Sequence, residues 1–244
     1  MSETAPNLPS HQFLRQLVAN GCTAANMALG LISILCSSHG QLHYAALALL
    51  ASVLFDALDG HLARLLGVAS EFGVQLDSLA DMTSFVTAGS VLSFYWFQGQ
   101  CPLWILVLVA VLYLVMGGSR LARFNTGTKA SDEFEGMPTT AMAVLLAMAY
   151  LNDANLAAWI GVPAVAIGAV LMVSHFPYPK FNKVMRLPKL IWPVLIGYAA
   201  IQPHQAIWCG ILSYMASGPV LGIIQSKQPK SEWVSAKDAE ISRN

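Results

Sequence analysis

Asp56, Asp59, Asp77 and Asp81 fall in one short stretch of a chain that is otherwise poor in charge. Residues three or four apart share a helix face, so Asp56 pairs with Asp59 and Asp77 with Asp81. Two such helices side by side bring four carboxylates into one small volume, where like charges repel unless cations neutralise them. An all-oxygen donor set favours a hard ion, Mg²⁺ or Mn²⁺, and it has oxygens enough for two. A paired divalent site can bridge phosphate oxygens and stabilise a leaving phosphate. Zinc is disfavoured, because no histidine or cysteine stands at a matching spacing. The residues alone leave a second reading open, a polar seam that binds water or joins helices.

Small residues surround the acids. Gly60 follows Asp59, Ala63 lies four residues further on, and Gly73 lies four before Asp77, which leaves room for a nucleotide or for close helix approach. Arg64 extends from the same neighbourhood and can hold a phosphate bidentately. Packing explains either glycine singly as well as substrate binding does. It explains the full combination with Arg64 and the acids less well.

The elements that must carry these residues are membrane helices. The chain has 244 residues, of which 56% are hydrophobic and only 11% charged, with a mean hydropathy of +0.57. A small soluble globule lacks that composition. Thirteen basic residues balance thirteen acidic ones, so no basic field exists to attract nucleic acid. Cys22, Cys36, Cys101 and Cys209 are far apart and read as ordinary buried thiols. No cleavage site follows the first apolar run, which therefore reads as a span and not as a signal peptide.

Apolar stretches at 17–37, 41–60, 79–98, 101–119, 138–151, 156–175, 189–202 and 206–224 predict eight transmembrane helices. Charge placement supports that count. All thirteen Lys and Arg residues fall before the first stretch or after an even-numbered one. The bias of basic residues toward the cytoplasm puts both termini, and segments 61–76, 120–137 and 176–188, in the cytosol. The expected organisation is a cytoplasmic segment 1–16, a catalytic core 17–181, a membrane hairpin 182–224 and a polar tail 225–244.

The run Asp56-Ala57-Leu58-Asp59-Gly60-His61-Leu62-Ala63-Arg64, followed at fixed spacing by Gly73, Asp77 and Asp81, resembles the motif of the CDP-alcohol phosphatidyltransferase family. That resemblance implies an all-α polytopic membrane bundle with a six-helix core, and a homodimer as its candidate assembly. It also implies an enzyme of a bacterial inner membrane that joins a CDP-activated lipid to an alcohol and releases CMP. It assigns metal binding to Asp56, Asp59 and Asp77, and makes Asp81 a further metal-proximal residue and the general base. Gly60, Ala63, Arg64 and Gly73 would line the CDP pocket. Asn20-Gly21-Cys22-Thr23 resembles the family's first-helix Asn-x-x-Thr element, which would bring Asn20 and Thr23 to the nucleotide, although Ala19 stands where a proline is usual.

Two further segments, Arg120-Leu121-Ala122-Arg123-Phe124-Asn125 and Phe134-Glu135-Gly136-Met137-Pro138, are similar to the family's serine-transferring branch, as is Tyr178-Pro179. The implied substrates are CDP-diacylglycerol and L-serine, in contact with membrane lipids. A free serine carboxylate suits Arg120 or Arg123, though either arginine also serves as a helix-end anchor. The same chemistry with glycerol phosphate, inositol phosphate or choline remains an alternative. A cation transporter is a more distant one, because its acids would be spread across membrane depth and not gathered at one end.

Overall fold

The computed structural model describes residues 10–68, 70–126, 134–178 and 201–226. Its elements run α1 (Ser10–Ser38), α2 (Leu42–Leu66), α3 (Glu71–Asp81), a π-helical segment (Met82–Thr87), α4 (Ala88–Trp96), α5 (Leu103–Thr126), β1 (Phe134–Glu135), α6 (Thr139–Asn152), α7 (Ala158–Val173), β2 (Pro177–Tyr178) and α8 (Pro203–Ser226). The fold is an all-helical bundle of membrane type. Helix covers seven of the eight expected stretches, and the other, 189–202, falls almost wholly outside the described residues.

The count of eight full spans is not reached among the described residues. Four helices are long and apolar enough to cross a membrane: α1 from Arg15, α2, α5 and α8 as far as Ile223. The expected third span is divided among α3, the π segment and α4. Helices α6 and α7 have 14 and 16 residues, short of the roughly 20 that a hydrocarbon core requires.

Contacts divide the chain into two compact units, Met1–Gly127 with Pro138–Met172, and Thr128–Met137 with Val173–Asn244. In the first, α1 packs along α2 and against α3, the π segment and α4. The inward stripe of α1 is small and polar, with Ala19, Thr23, Asn26, Ser33 and Ser37 all buried. Such a stripe allows close backbone approach. At Gly30 a Cβ would lie 2.6 Å from the Ser84 Cα, so only glycine fits there. Leu31, Leu54, Trp104 and Trp159 face outward, as expected of a surface solvated by lipid.

Two local features place the acidic helices. Gly67, with φ of 64°, ends α2 in the left-handed region and returns its N–H to the last-turn carbonyls. Ser70 then starts α3 by accepting the Gly73 N–H at 3.0 Å. Directly beyond Asp81 the helix widens into its π turn, where Thr87 Oγ1 donates to Met82 O at 2.8 Å. Neighbours hold that turn: Tyr113 donates to Phe85 O at 3.3 Å, and Ser84 donates to Asn26 O at 2.9 Å.

In the second unit, β1 and β2 pair antiparallel, with Phe134 opposite Tyr178 and Glu135 opposite Pro177. Gly136, at φ 79°, extends the pairing by donating to Phe176 O at 2.9 Å. The Tyr178 hydroxyl donates to Met215 O of α8 at 3.1 Å. Burial, with Tyr214 beside it, pushes the Tyr178 phenol up to about 12, so it remains a donor throughout the physiological range. Gly218 has no space for a Cβ, which would lie 2.2 Å from the Tyr178 ring.

Candidate active site

The carboxylates expected on two facing helices do meet. One oxygen each from Asp56, Asp59 and Asp77 lies within 4.8 Å of the others, close enough to share a cation. Asp59 is 5% exposed, and Asp56 and Asp77 are half-buried. Asp81 stands outside that trio. Its carboxyl hydrogen-bonds to Asp56, a contact that needs one proton between the two, and the Arg120 charge acts on it from α5.

Two buried carboxylate oxygens, Asp59 Oδ2 and Asp81 Oδ1, have no hydrogen-bond partner among the described residues. Partly desolvated, close-set and incompletely bonded carboxylates are what a hard divalent cation satisfies. The donor set thus fits a divalent metal ion.

The remaining expected residues fall around this cluster. Thr23 is buried on α1 with its hydroxyl beside the Asp59 carboxylate. Asn20 is one turn toward the N-terminus, where its Oδ1 lies 3.6 Å from the position of a Cβ on Gly73. Gly73 therefore sits where α1 meets the start of α3, and Ser70 Oγ, at 3.2 Å from that position, crowds it further. Gly60 is exposed, and its carbonyl accepts from Arg64 Nε at 2.8 Å. That bond holds the Arg64 side chain along α2. Ala63 is half-buried.

Arg120 and Arg123 occupy different settings near the end of α5. Arg120 is 8% exposed; its Nη1 donates to Thr139 Oγ1 at 3.4 Å, and its guanidinium lies 5.8 Å from the centre of the Phe124 ring. Arg123 is half-buried. Asn125, nearby, bonds to Ser78, the residue next to Asp77.

One buried polar residue of α1, close in sequence to Thr23, carries no motif. Asn26 is fully buried on α1, one turn beyond Thr23. Asn26 stands six residues from Asn20, off a shared helix face, and only its three-residue offset from Thr23 marks it as sharing the face of that residue.

A family model for CDP-alcohol phosphatidyltransferase matches residues 16–173. The chain is 38% identical over 201 residues to a CDP-diacylglycerol--serine O-phosphatidyltransferase of Helicobacter pylori, covering 78% of this chain and 84% of the relative. It is 33% identical over 174 residues to the enzyme of the same name from Methanocaldococcus jannaschii, covering 68% and 76%. An archaetidylserine synthase of Methanothermobacter thermautotrophicus is 36% identical over 161 residues, covering 64% and 67%.

Proposed function

The chain belongs to the CDP-alcohol phosphatidyltransferase family, and from that premise we propose that it transfers the phosphatidyl group of CDP-diacylglycerol to the hydroxyl of L-serine, giving phosphatidylserine and CMP. The observation that carries this reading is the convergence of Asp56, Asp59 and Asp77 within 4.8 Å, together with relatives named for the same reaction.

In this reading the lipid tails of the substrate stay in the membrane while its nucleotide head reaches the acidic cluster. The protein is an integral membrane enzyme, with its termini and site at the cytosolic face of the bacterial inner membrane. Asp56, Asp59 and Asp77 would hold two divalent ions, Mg²⁺ or Mn²⁺, with Asp81 adjacent. When bound, these ions neutralise the diphosphate and stabilise the phosphate that leaves. Asn20, Thr23, Gly60, Ala63 and Gly73 shape the nucleotide pocket. Arg64 uses its free Nη groups on a phosphate while Nε keeps it on Gly60 O.

Asp81 accepts the serine hydroxyl proton as the oxygen attacks the lipid-linked phosphorus. The bond from that phosphorus to the CMP oxygen breaks, and CMP takes the electron pair. A carboxylate is a weak base toward an alcohol, so proton loss accompanies formation of the new P–O bond. Arg120, already bound to Thr139 and acting on Asp81, serves as the fixed electrostatic partner of that base. Arg123 receives the serine carboxylate.

Acceptor competition tests the assignment. Purified protein in detergent, given CDP-diacylglycerol and a divalent metal, should release CMP with serine and not with glycerol phosphate, inositol phosphate or choline. Release with one of the others overturns the serine assignment.

A further inference from the structure

Asn26 is a buried polar side chain near the site that the proposed reaction leaves unused. It is 0% exposed, and neither Nδ2 nor Oδ1 has a hydrogen-bond partner among the described residues. A buried carboxamide with both ends unmet is strongly unfavourable, and native proteins seldom keep one without a use.

Its place in the fold indicates that use. Thr23, one turn earlier on α1, lies beside Asp59. Ser84, three residues beyond Asp81, donates to the backbone carbonyl of Asn26 itself at 2.9 Å. Asn26 therefore stands about one turn beyond Asp59 and Asp81, next to the cluster along α1. Two buried atoms of the cluster also lack partners among the described residues, Asp59 Oδ2 and Asp81 Oδ1. A carboxylate accepts only, and an amide NH₂ is the donor it lacks.

We propose that Asn26 is a positioning residue for Asp81, its Nδ2 donating to Asp81 Oδ1 when the acidic cluster is loaded. The inference rests on the role given to Asp81 under the proposed function. Asn26 Nδ2 is a fully buried, unused donor one turn from the unpartnered Asp81 Oδ1. Its bond fixes one oxygen of Asp81 and leaves the other for the acceptor hydroxyl.

Two substitutions test this in purified full-length protein: Asn26→Leu, of similar volume and without hydrogen-bonding groups, and Asn26→Ser, which keeps a donor. Thermal midpoints are measured with and without Mn²⁺, and kcat and KM are measured for both substrates. Asn26→Leu should melt at or above the wild-type midpoint without metal, yet lose roughly ten- to hundredfold in kcat, with both KM values within about twofold. Asn26→Ser should recover part of kcat. A lowered midpoint with unchanged kcat overturns the inference, as does a failure of Asn26→Leu to fold while Asn26→Ser keeps full activity. Wild-type CMP release with another alcohol contradicts the serine assignment instead, and the comparison is then made with that alcohol. If the wild type releases no CMP with any acceptor, the proposed function fails and the Mn²⁺-induced midpoint shift decides: a smaller shift in Asn26→Leu supports the inference and an equal one overturns it.

Discussion

Asn125 Nδ2 donates to Ser78 Oγ at 2.9 Å, tying the end of α5 to the residue beside Asp77. Ser78 Oγ also lies 3.1 Å from the Val74 carbonyl of its own helix, to which it donates. An arginine-rich helix end and an acidic helix are thus connected by one side-chain bond. Both residues are accessible enough that stability should change by no more than about 0.5 kcal/mol on removing either. Activity should respond differently. Ser78→Ala and Asn125→Ala are each expected to lower kcat/KM about three- to tenfold. The double variant should lose no more than the worse single, a coupling of about 1 kcal/mol in a double-mutant cycle. Simple additivity would show that the bond does not help to place Asp77.

Metal removal should silence the enzyme reversibly. Chelation is expected to abolish CMP release, and Mg²⁺ or Mn²⁺ to restore it. Asp56→Asn, Asp59→Asn and Asp77→Asn should each weaken Mn²⁺ binding by at least about tenfold, measured by the electron paramagnetic resonance of free Mn²⁺, because each removes one charged donor from the trio. Wild-type Mn²⁺ affinity in all three variants would place the metal elsewhere.

The π turn below Asp81 should tolerate no added bulk. A Cβ on Gly89 would lie 2.6 Å from Tyr113 Oη, and one on Gly117 would lie 2.7 Å from Val86 Cγ1. Gly89→Ala and Gly117→Ala are expected to destabilise the first unit by about 1–3 kcal/mol through overpacking, seen as a lower thermal midpoint. Because Tyr113 also bonds Phe85 O, Gly89→Ala should in addition reduce kcat. Unchanged midpoints would mean that the helices yield easily at this crossing.

Much of the site was legible because its information is local. The offsets from Asp56 to Asp59 and from Asp77 to Asp81 follow from helix periodicity alone, and the trio within 4.8 Å brings Asp77 of the second pair to both members of the first. Oxygen-only chemistry then points to a hard cation without knowledge of the fold. What was not legible depends on tertiary contact. The π turn at Met82–Thr87 has no composition of its own and is held by Ser84 and Tyr113 bonds to other segments. The pairing of Phe134 with Tyr178 joins two motif segments whose meeting no periodicity announces. Asn26 is marked only by its burial and its missing partners. The eight-span reading counted apolar runs, and α6 and α7, at 14 and 16 residues, show how weakly run length constrains the short ones.

The short ladder makes its own prediction. Gly136 holds φ at 79° while donating to Phe176 O. Gly136→Ala should therefore cost about 1 kcal/mol or more, and hydrogen exchange at the backbone amide of position 136 should be fast in the variant and slow in the wild type. Equal protection in the two proteins would show that the turn does not depend on glycine.

In the proposed reaction the hydroxyl oxygen of serine attacks the lipid-linked phosphorus with Asp81 taking the proton. Serine carrying ¹⁸O in its hydroxyl, incubated with CDP-diacylglycerol, Mn²⁺ and the purified protein, tests it by mass spectrometry of both products. The expected result is ¹⁸O in the phosphate ester of phosphatidylserine and none in CMP, with Asp81→Asn forming neither product above background. Phosphatidic acid appearing with unlabelled CMP, or a cytidylyl-serine adduct carrying the label, would contradict it.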